Sequence, residues 1–155
     1  RNIAASLLTA LDYVGVLSIE LFYGPQGLLV NELAPRTHNS GHYSIEACSA
    51  SQFEQQVRIC AQRPLAKIEL LSPAVMLNVL GDAWFKESDA PVEPDWDAVR
   101  AQPGVHLHLY GKSEPRVGRK MAHVTCLGDD LQQARRRAEV VADILGLDVG
   151  GALAP

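Results

Sequence analysis

Two glutamates, Glu20 and Glu32, each interrupt an otherwise apolar, β-rich run, Val14–Tyr23 and Leu28–Leu33, and Gly24-Pro25-Gln26-Gly27 between them reads as the turn of a hairpin. If the turn closes with an odd residue count the two face each other directly, and if it closes with four they are diagonal neighbours, with β-carbons about 5–8 Å apart either way. Two facing carboxylates repel, and a hard cation such as Mg2+ removes the repulsion, because it prefers oxygen ligands and adds substrate phosphates. The same spacing also suits glutamates pointing to solvent from an edge strand, since Glu is seldom buried without a partner.

Ala34–Tyr43 follows directly and has no period. Arg36 offers a planar fork for phosphate or carboxylate, His38, Asn39, Ser40 and His42 add directed hydrogen-bonding groups, and Gly41 lets backbone approach a ligand. The segment reads either as an anion loop beside a metal or as a solvated surface loop. His38 and His42 are four apart but lie outside any helical pattern, which speaks against zinc. A second basic cluster, Lys112, Arg116, Arg119 and Lys120, is opposed only by Glu114 and bracketed by Gly111 and Gly118. Such a turn is either a solvated hairpin tip or a phosphate site. His106 and His108 share a strand face and read as half-buried packing residues. Met121 and the two tryptophans read as core or interface, and Arg135-Arg136-Arg137 as solvated helix surface. Cys48 has no base partner and no nucleophile role.

The elements that must position these groups follow from periodicity. Ile3, Leu7, Leu11 and Val14 predict a helix over 2–12. Ser51-Gln-Phe-Glu54 has the form of a capping box for a helix carrying Phe53, Val57 and Cys60, which stops before Arg63-Pro64. Strands are expected at Ala74–Leu80, Val105–Tyr110 and Lys120–Cys126, with a loop around Pro91, Pro94 and Trp96. Asp129 or Asp130 caps a last helix with Leu131, Ala134, Ala138, Val141 and Leu145 on one face, ending at Gly146. These elements predict two α+β pieces, residues 1–64 and a small, mostly antiparallel β domain with a terminal helix at 65–155.

The 155 residues are 47% hydrophobic and 21% charged, an ordinary globular composition, and the net charge of −4 argues against a nucleic-acid binder. The first hundred residues are acidic and the remainder slightly basic, which isolates the Lys112–Lys120 turn. Three cysteines without a CxxC pair point to reduced thiols and a cytoplasmic protein. No apolar run approaches the ~20 residues of a membrane span, so no membrane partner is expected. Neither a signal peptide nor an initiator Met opens the chain, which suggests a start inside a longer gene product.

Val16-Leu-Ser-Ile-Glu20-Leu-Phe-Tyr23, Leu29-Val-Asn-Glu32-Leu-Ala-Pro-Arg36-Thr-His38-Asn-Ser-Gly41-His-Tyr43 and Ser51-Gln-Phe-Glu54 together resemble the purine-pathway ATP-grasp family of 5-(carboxyamino)imidazole ribonucleotide synthases. Leu109-Tyr-Gly-Lys112 and Gly118-Arg-Lys-Met-Ala-His123 resemble the C-terminal domain of the same family. The likeness runs from about Val14 to the end of the last helix and implies an α+β fold, the C-terminal half of an ATP-grasp domain followed by the small β domain.

The resemblance implies a ligase that uses ATP with Mg2+ (or Mn2+) to activate bicarbonate and carboxylate the exocyclic amine of 5-aminoimidazole ribonucleotide, commonly as a homodimer. Glu20 and Glu32 would be the metal ligands, with Asn31 and Glu32 at the nucleotide phosphates. Arg36 and His38 would hold bicarbonate, carboxyphosphate or phosphate in catalytic roles, supported by Asn39 and Ser40 as substrate-binding residues. Lys112 and Arg119 would reach in from the second domain to the substrate phosphate, in both catalytic and substrate-binding roles. Thr37 stands where the family usually has Pro, and Ala122 where it has Gly. Glu32-Leu-Ala34 replaces the Glu-x-Asn of many ATP-grasp enzymes, so a third protein ligand for the metal is not evident. The adenine pocket and lysine-bearing strands of that fold are not in these residues, and the chain alone is expected to be inactive. The rival readings are an ATP-grasp ligase with another acceptor, and a non-catalytic anion-binding or dimerisation module derived from one.

Overall fold

Residues 2–86 and 90–149 are described by the computed structural model, whose contacts divide the chain into a first unit, Arg1–Glu69, and a second, Leu70–Pro155. The first begins with helix α1 (Asn2–Leu11), then the antiparallel hairpin β1 (Ser18–Gly24) and β2 (Gly27–Ala34). The extended run expected from Val14 becomes a strand only at Ser18, because Val16 gives its N–H to Gln56 Oε1 (3.0 Å) rather than to a neighbouring strand.

The aperiodic loop after β2 is more ordered than its composition suggests. It forms one 3-10 turn, Asn39–Gly41, and a short helix α2 (Ser44–Ala47) before helix α3 (Gln52–Cys60). Ser51 caps α3 as expected, its Oγ accepting the Glu54 N–H at 3.1 Å. Glu54 does not complete the capping box. Its Oε1 takes the Arg58 guanidinium one turn on at 2.8 Å, a stronger partner than a neutral amide. The segment after α3 folds back on it: Gln55 Nε2 donates to Ala66 O (2.9 Å) and Gln55 Oε1 accepts the Ala66 N–H (3.1 Å). Ser49 N donates to Glu69 O at 2.9 Å, so the first unit extends past Pro64 to Glu69.

The second unit is a three-stranded antiparallel sheet of β3 (Ala74–Leu80), β4 (Val105–Leu109) and β5 (Lys120–Leu127), with β5 in the centre. Helix α5 (Leu131–Leu145) covers one face. Alternate residues of β5, Ala122, Val124 and Cys126, join Leu77 and Val79 of β3 and Ala138, Val141, Ala142 and Leu145 of α5 in one core. Each fully buried Val or Leu there contributes about 1.5–3 kcal/mol. Of the two candidate caps Asp130 serves, its Oδ1 accepting the Gln133 N–H at 2.7 Å, and the helix closes at Gly146.

Three expectations need correction here. Leu131 is not on the buried face: it is the first residue of α5 and 49% exposed, whereas Ala134, Ala138, Val141 and Leu145 are fully buried. The proline-bearing loop contains a helix, α4 (Trp96–Arg100), because Asp95 after Pro94 caps it through the Ala98 N–H (2.9 Å). Arg137 is not solvated surface but donates to Leu127 O at 2.6 Å. Met121 and Trp96 are buried, and the Trp84 and Trp96 rings pack 5.4 Å apart, as core residues should. Among the described residues no helix is long and apolar enough to cross a membrane.

Candidate functional site

The hairpin decides the position of the carboxylates. Its two-residue turn pairs Gly24 with Gly27, and that register continues through Leu21 opposite Val30. If it persisted, Glu20 would sit opposite Asn31. The register instead shifts between Glu20 and Leu21, leaving Asn31 as the extra residue of a bulge, and Glu20 pairs with Glu32. One inserted residue thus turns two offset carboxylates into a facing pair on one side of the ribbon.

The bulge residue also contributes its side chain. Asn31 Nδ2 donates to Glu20 Oε2 at 3.4 Å, and His38 Nε2 lies 3.4 Å from Glu20 Oε1. His38 Nδ1 accepts the Ser40 N–H (3.3 Å) and sits 2.9 Å from Ser40 Oγ. An acceptor at Nδ1 leaves the ring proton on Nε2, aimed at Glu20. Ser40, His38, Glu20 and Asn31 therefore form one connected set, with Glu32 opposite Glu20.

Arg36 is exposed and its Nη1 donates to Thr37 O at 3.0 Å, while its N–H turns back to Ala34 O (2.8 Å). Asn39 has a buried side-chain oxygen, Oδ1, for which no hydrogen-bond partner is present among the described residues. Such an atom suits an incoming donor. Cys48 stays outside this set, and burial pushes its thiol up.

The residue that braces the loop is Gln52, which sequence reasoning placed only within the capping motif. Its Oε1 accepts the His38 N–H at 2.9 Å, and its Nε2 donates to His38 O and to His42 Nδ1, both at 2.8 Å. Ser44 Oγ links the same region, donating to Gly41 O (2.5 Å) and accepting the Gln52 N–H (3.0 Å). Gly41 leaves room for that amide: a Cβ there would come within 2.6 Å of Gln52 Oε1 and displace it.

In the second unit the basic turn is held from beneath. Gly118 N donates to Asp82 Oδ2 (2.7 Å) and Gly81 N to Arg119 O (2.8 Å), and any side chain at Gly81 would run into the Arg116 backbone. Arg119 Nη1 donates to Glu114 O at 2.8 Å, whereas Arg116 pairs with the Glu114 carboxylate at 2.7 Å. Lys112 Nζ donates to Lys120 O (2.5 Å) and lies 5.5 Å from the centre of the Tyr110 ring. Tyr110 Oη is 2.9 Å from His123 Nδ1, and His123 stacks on its cross-strand neighbour His108 at 4.4 Å. Burial raises the Tyr110 phenol above its ordinary value. His123 and Asp82 were not singled out as site residues from sequence. Their roles depend on strand pairing and on a turn contact that spacing does not reveal.

Comparison with known proteins decides the family. Residues 1–53 match the ATP-grasp domain, and residues 74–137 match the phosphoribosylaminoimidazole carboxylase C-terminal domain. N5-carboxyaminoimidazole ribonucleotide synthase of Synechococcus elongatus is 48% identical over 124 residues, 79% of this chain and 31% of that protein. The chain belongs to this synthase family and corresponds to its C-terminal portion. The synthase of Staphylococcus saprophyticus is 39% identical over 140 residues, 88% of this chain and 35% of its own. The chain thus spans about a third of the curated synthases it matches. The crystal structure of the Thermotoga maritima synthetase superposes with a TM-score of 0.81 at 46% identity, over 93% of this chain and 40% of that one. An Aspergillus clavatus synthase crystallised with ADP and 5-aminoimidazole ribonucleotide superposes with a TM-score of 0.79 at 29% identity, over 94% of this chain and 39% of that one. The α+β architecture expected from the sequence is the one these synthases share.

Proposed function

We propose that the full-length protein carrying this chain couples ATP cleavage to the carboxylation of 5-aminoimidazole ribonucleotide by bicarbonate, giving N5-carboxyaminoimidazole ribonucleotide, ADP and phosphate. The observation that carries the reading is the bulge at Asn31, which sets Glu20 opposite Glu32 with His38 against Glu20, in a chain of this family. In that reaction a bicarbonate oxygen attacks the γ-phosphorus of ATP and ADP leaves, forming carboxyphosphate. The exocyclic amine nitrogen then attacks the carboxyphosphate carbon, phosphate leaves, and the amine gives up a proton.

The donor set fits Mg2+ (or Mn2+). Two facing carboxylates repel, and a cation between them would relieve that repulsion. A cation that keeps waters and takes phosphate oxygens suits such a pair. Glu20 and Glu32 would hold it, and when bound it neutralises charge on the transferring phosphoryl group. Asn31 and Glu32 lie at the nucleotide phosphates. Arg36 and His38 hold bicarbonate and then carboxyphosphate, with Asn39 and Ser40 as supporting donors. Fixed charges of this kind stabilise phosphoryl transfer without covalent help from the protein.

In the second unit Lys112 and Arg119 bind the ribonucleotide phosphate; both are already held by backbone carbonyls, which limits the ordering cost of binding. The protein acts in the cytoplasm as a homodimer, with no nucleic-acid or membrane partner, and its three free cysteines suit a reducing compartment.

The test is ADP release by the full-length protein with MgATP and bicarbonate, with and without 5-aminoimidazole ribonucleotide. Release that requires the ribonucleotide is expected, together with loss of metal-dependent ATP use in Glu32→Gln by about 10²–10³-fold. Release that the ribonucleotide does not stimulate would count against it as the acceptor. No release from a folded protein would leave another acceptor or a silent binding module.

A further inference from the structure

We infer that Gln52 is the positioning residue for bicarbonate, acting through His38 and touching no substrate itself; the inference rests on the carboxylation reading. The argument is the chemistry of one amide. Gln52 meets His38 at both peptide groups, accepting its N–H at 2.9 Å and donating to its carbonyl at 2.8 Å, and the second Nε2 hydrogen goes to His42 Nδ1 at 2.8 Å. Those three bonds need one acceptor and two donors on the same side chain, which only a carboxamide supplies.

They fix His38 in its extended backbone (φ −130°, ψ 152°), where Nδ1 accepts the Ser40 N–H and Nε2 points at Glu20. Clamping both peptide groups leaves the ring little freedom except its own side-chain torsions, and Ser40 removes one of those. Gly41 completes the device, since its missing Cβ is what lets Oε1 reach the His38 N–H. Gln52 thus sets the ring that holds bicarbonate while contributing nothing to the nucleotide.

Gln52→Glu keeps the shape and replaces two donors by an acceptor facing the His38 carbonyl. In the full-length protein the expected result is a rise of about 10–100-fold in KM for bicarbonate, the range set by losing two amide hydrogen bonds at partly buried partners, with KM for MgATP within about twofold. Gly41→Ala, which pushes the intact amide away from the other side, gives the same split. In a Gln52→Ala background Gly41→Ala adds little further, because the group it displaces is gone. Independently of turnover, 15N-labelled imidazole signals show the Nε2–H tautomer at His38 in the wild type and lose it in Gln52→Glu. Unchanged bicarbonate KM with an unchanged His38 tautomer in either folded variant would overturn the inference, as would parallel rises in both KM values or full additivity in the double variant. Failure of the wild type to use bicarbonate would overturn the carboxylation reading instead, and the tautomer signals would still decide whether Gln52 sets the ring.

Discussion

Within these residues the two units differ in what supports them. In the second, Val79, Val99, Val124, Val141 and Leu145 are fully buried in one apolar core. In the described part of the first, the buried residues are Ala34, Ala47, Ala50, Ser44 and Gln55, while Phe22, Tyr23, Leu28, Leu29 and Val57 are more than half exposed in this chain, which spans about a third of the synthases it matches. What the first unit has instead is a set of side-chain-to-backbone hydrogen bonds from Ser44, Ser49, Gln52 and Gln55. The contrast teaches where each unit can be altered. An apolar core tolerates no lost volume, and a carboxamide brace tolerates no lost donor. The proposed anion and metal groups sit on the second kind of support, which fixes angles.

The largest expected effect is Leu145→Ala. Removing a fully buried leucine from the centre of the α5 face should destabilise the second unit by about 3–5 kcal/mol. Hydrogen exchange should then speed up at the β3 and β5 amides while those of α3 keep their protection. Equal acceleration in α3 would show that the two units share one cooperative core and would erase the comparison. Next comes Gln55→Leu in the first unit, where the buried amide satisfies both the N–H and the carbonyl of Ala66. Leaving those two groups unpaired should cost about 1–3 kcal/mol although the replacement is apolar and of similar size. A neutral or stabilising result, read from thermal unfolding, would mean that the first unit is held by packing after all.

The same difference explains what could be read from the chain. In the second unit the strands and the last helix were legible, though α4 was not: β3 spans the expected Ala74–Leu80, and Ala134, Ala138, Val141 and Leu145 line the buried face, because apolar period is a direct record of burial. Leu131 escaped the rule because the first residue of a helix lies at the end of the covered face. In the first unit periodicity carried less. Glu20 and Glu32 could be picked out by their charge, but not their register, which depends on a bulge at Asn31 that no residue type announces. Arg36 to Ser40 were recognisable as a donor-rich loop with a family likeness. Their brace was not, since Gln52 lies in the next helix and its role appears only when side-chain amide meets backbone. The Tyr110–His123 contact was hidden similarly, by the pairing of β4 with β5.

The smallest expected effect is read through pH. Cys126 belongs to the core, fully buried on β5, and burial pushes its thiol from the ordinary 9.0 up to about 12, with the Arg137 guanidinium pulling weakly the other way. Below pH 9 folded and unfolded chains both keep the thiol proton, so its contribution is complete there. As pH rises past 9 the unfolded thiol ionises while the folded one does not, the unfolded state gains, and the contribution is lost progressively as pH rises through about 12. The second unit should therefore lose melting temperature between pH 9 and 11, and Cys126→Ala should remove part of that slope after its own pH-independent cost is subtracted. Tyr110, also raised by burial, adds a slope of the same sign that the substitution leaves in place, so the informative quantity is the difference between variant and wild type. Maleimide labelling at pH 8 should meanwhile modify the exposed Cys60 at the end of α3 and spare Cys126. Equal labelling of both, or identical pH slopes with and without the thiol, would show that the core does not shield Cys126.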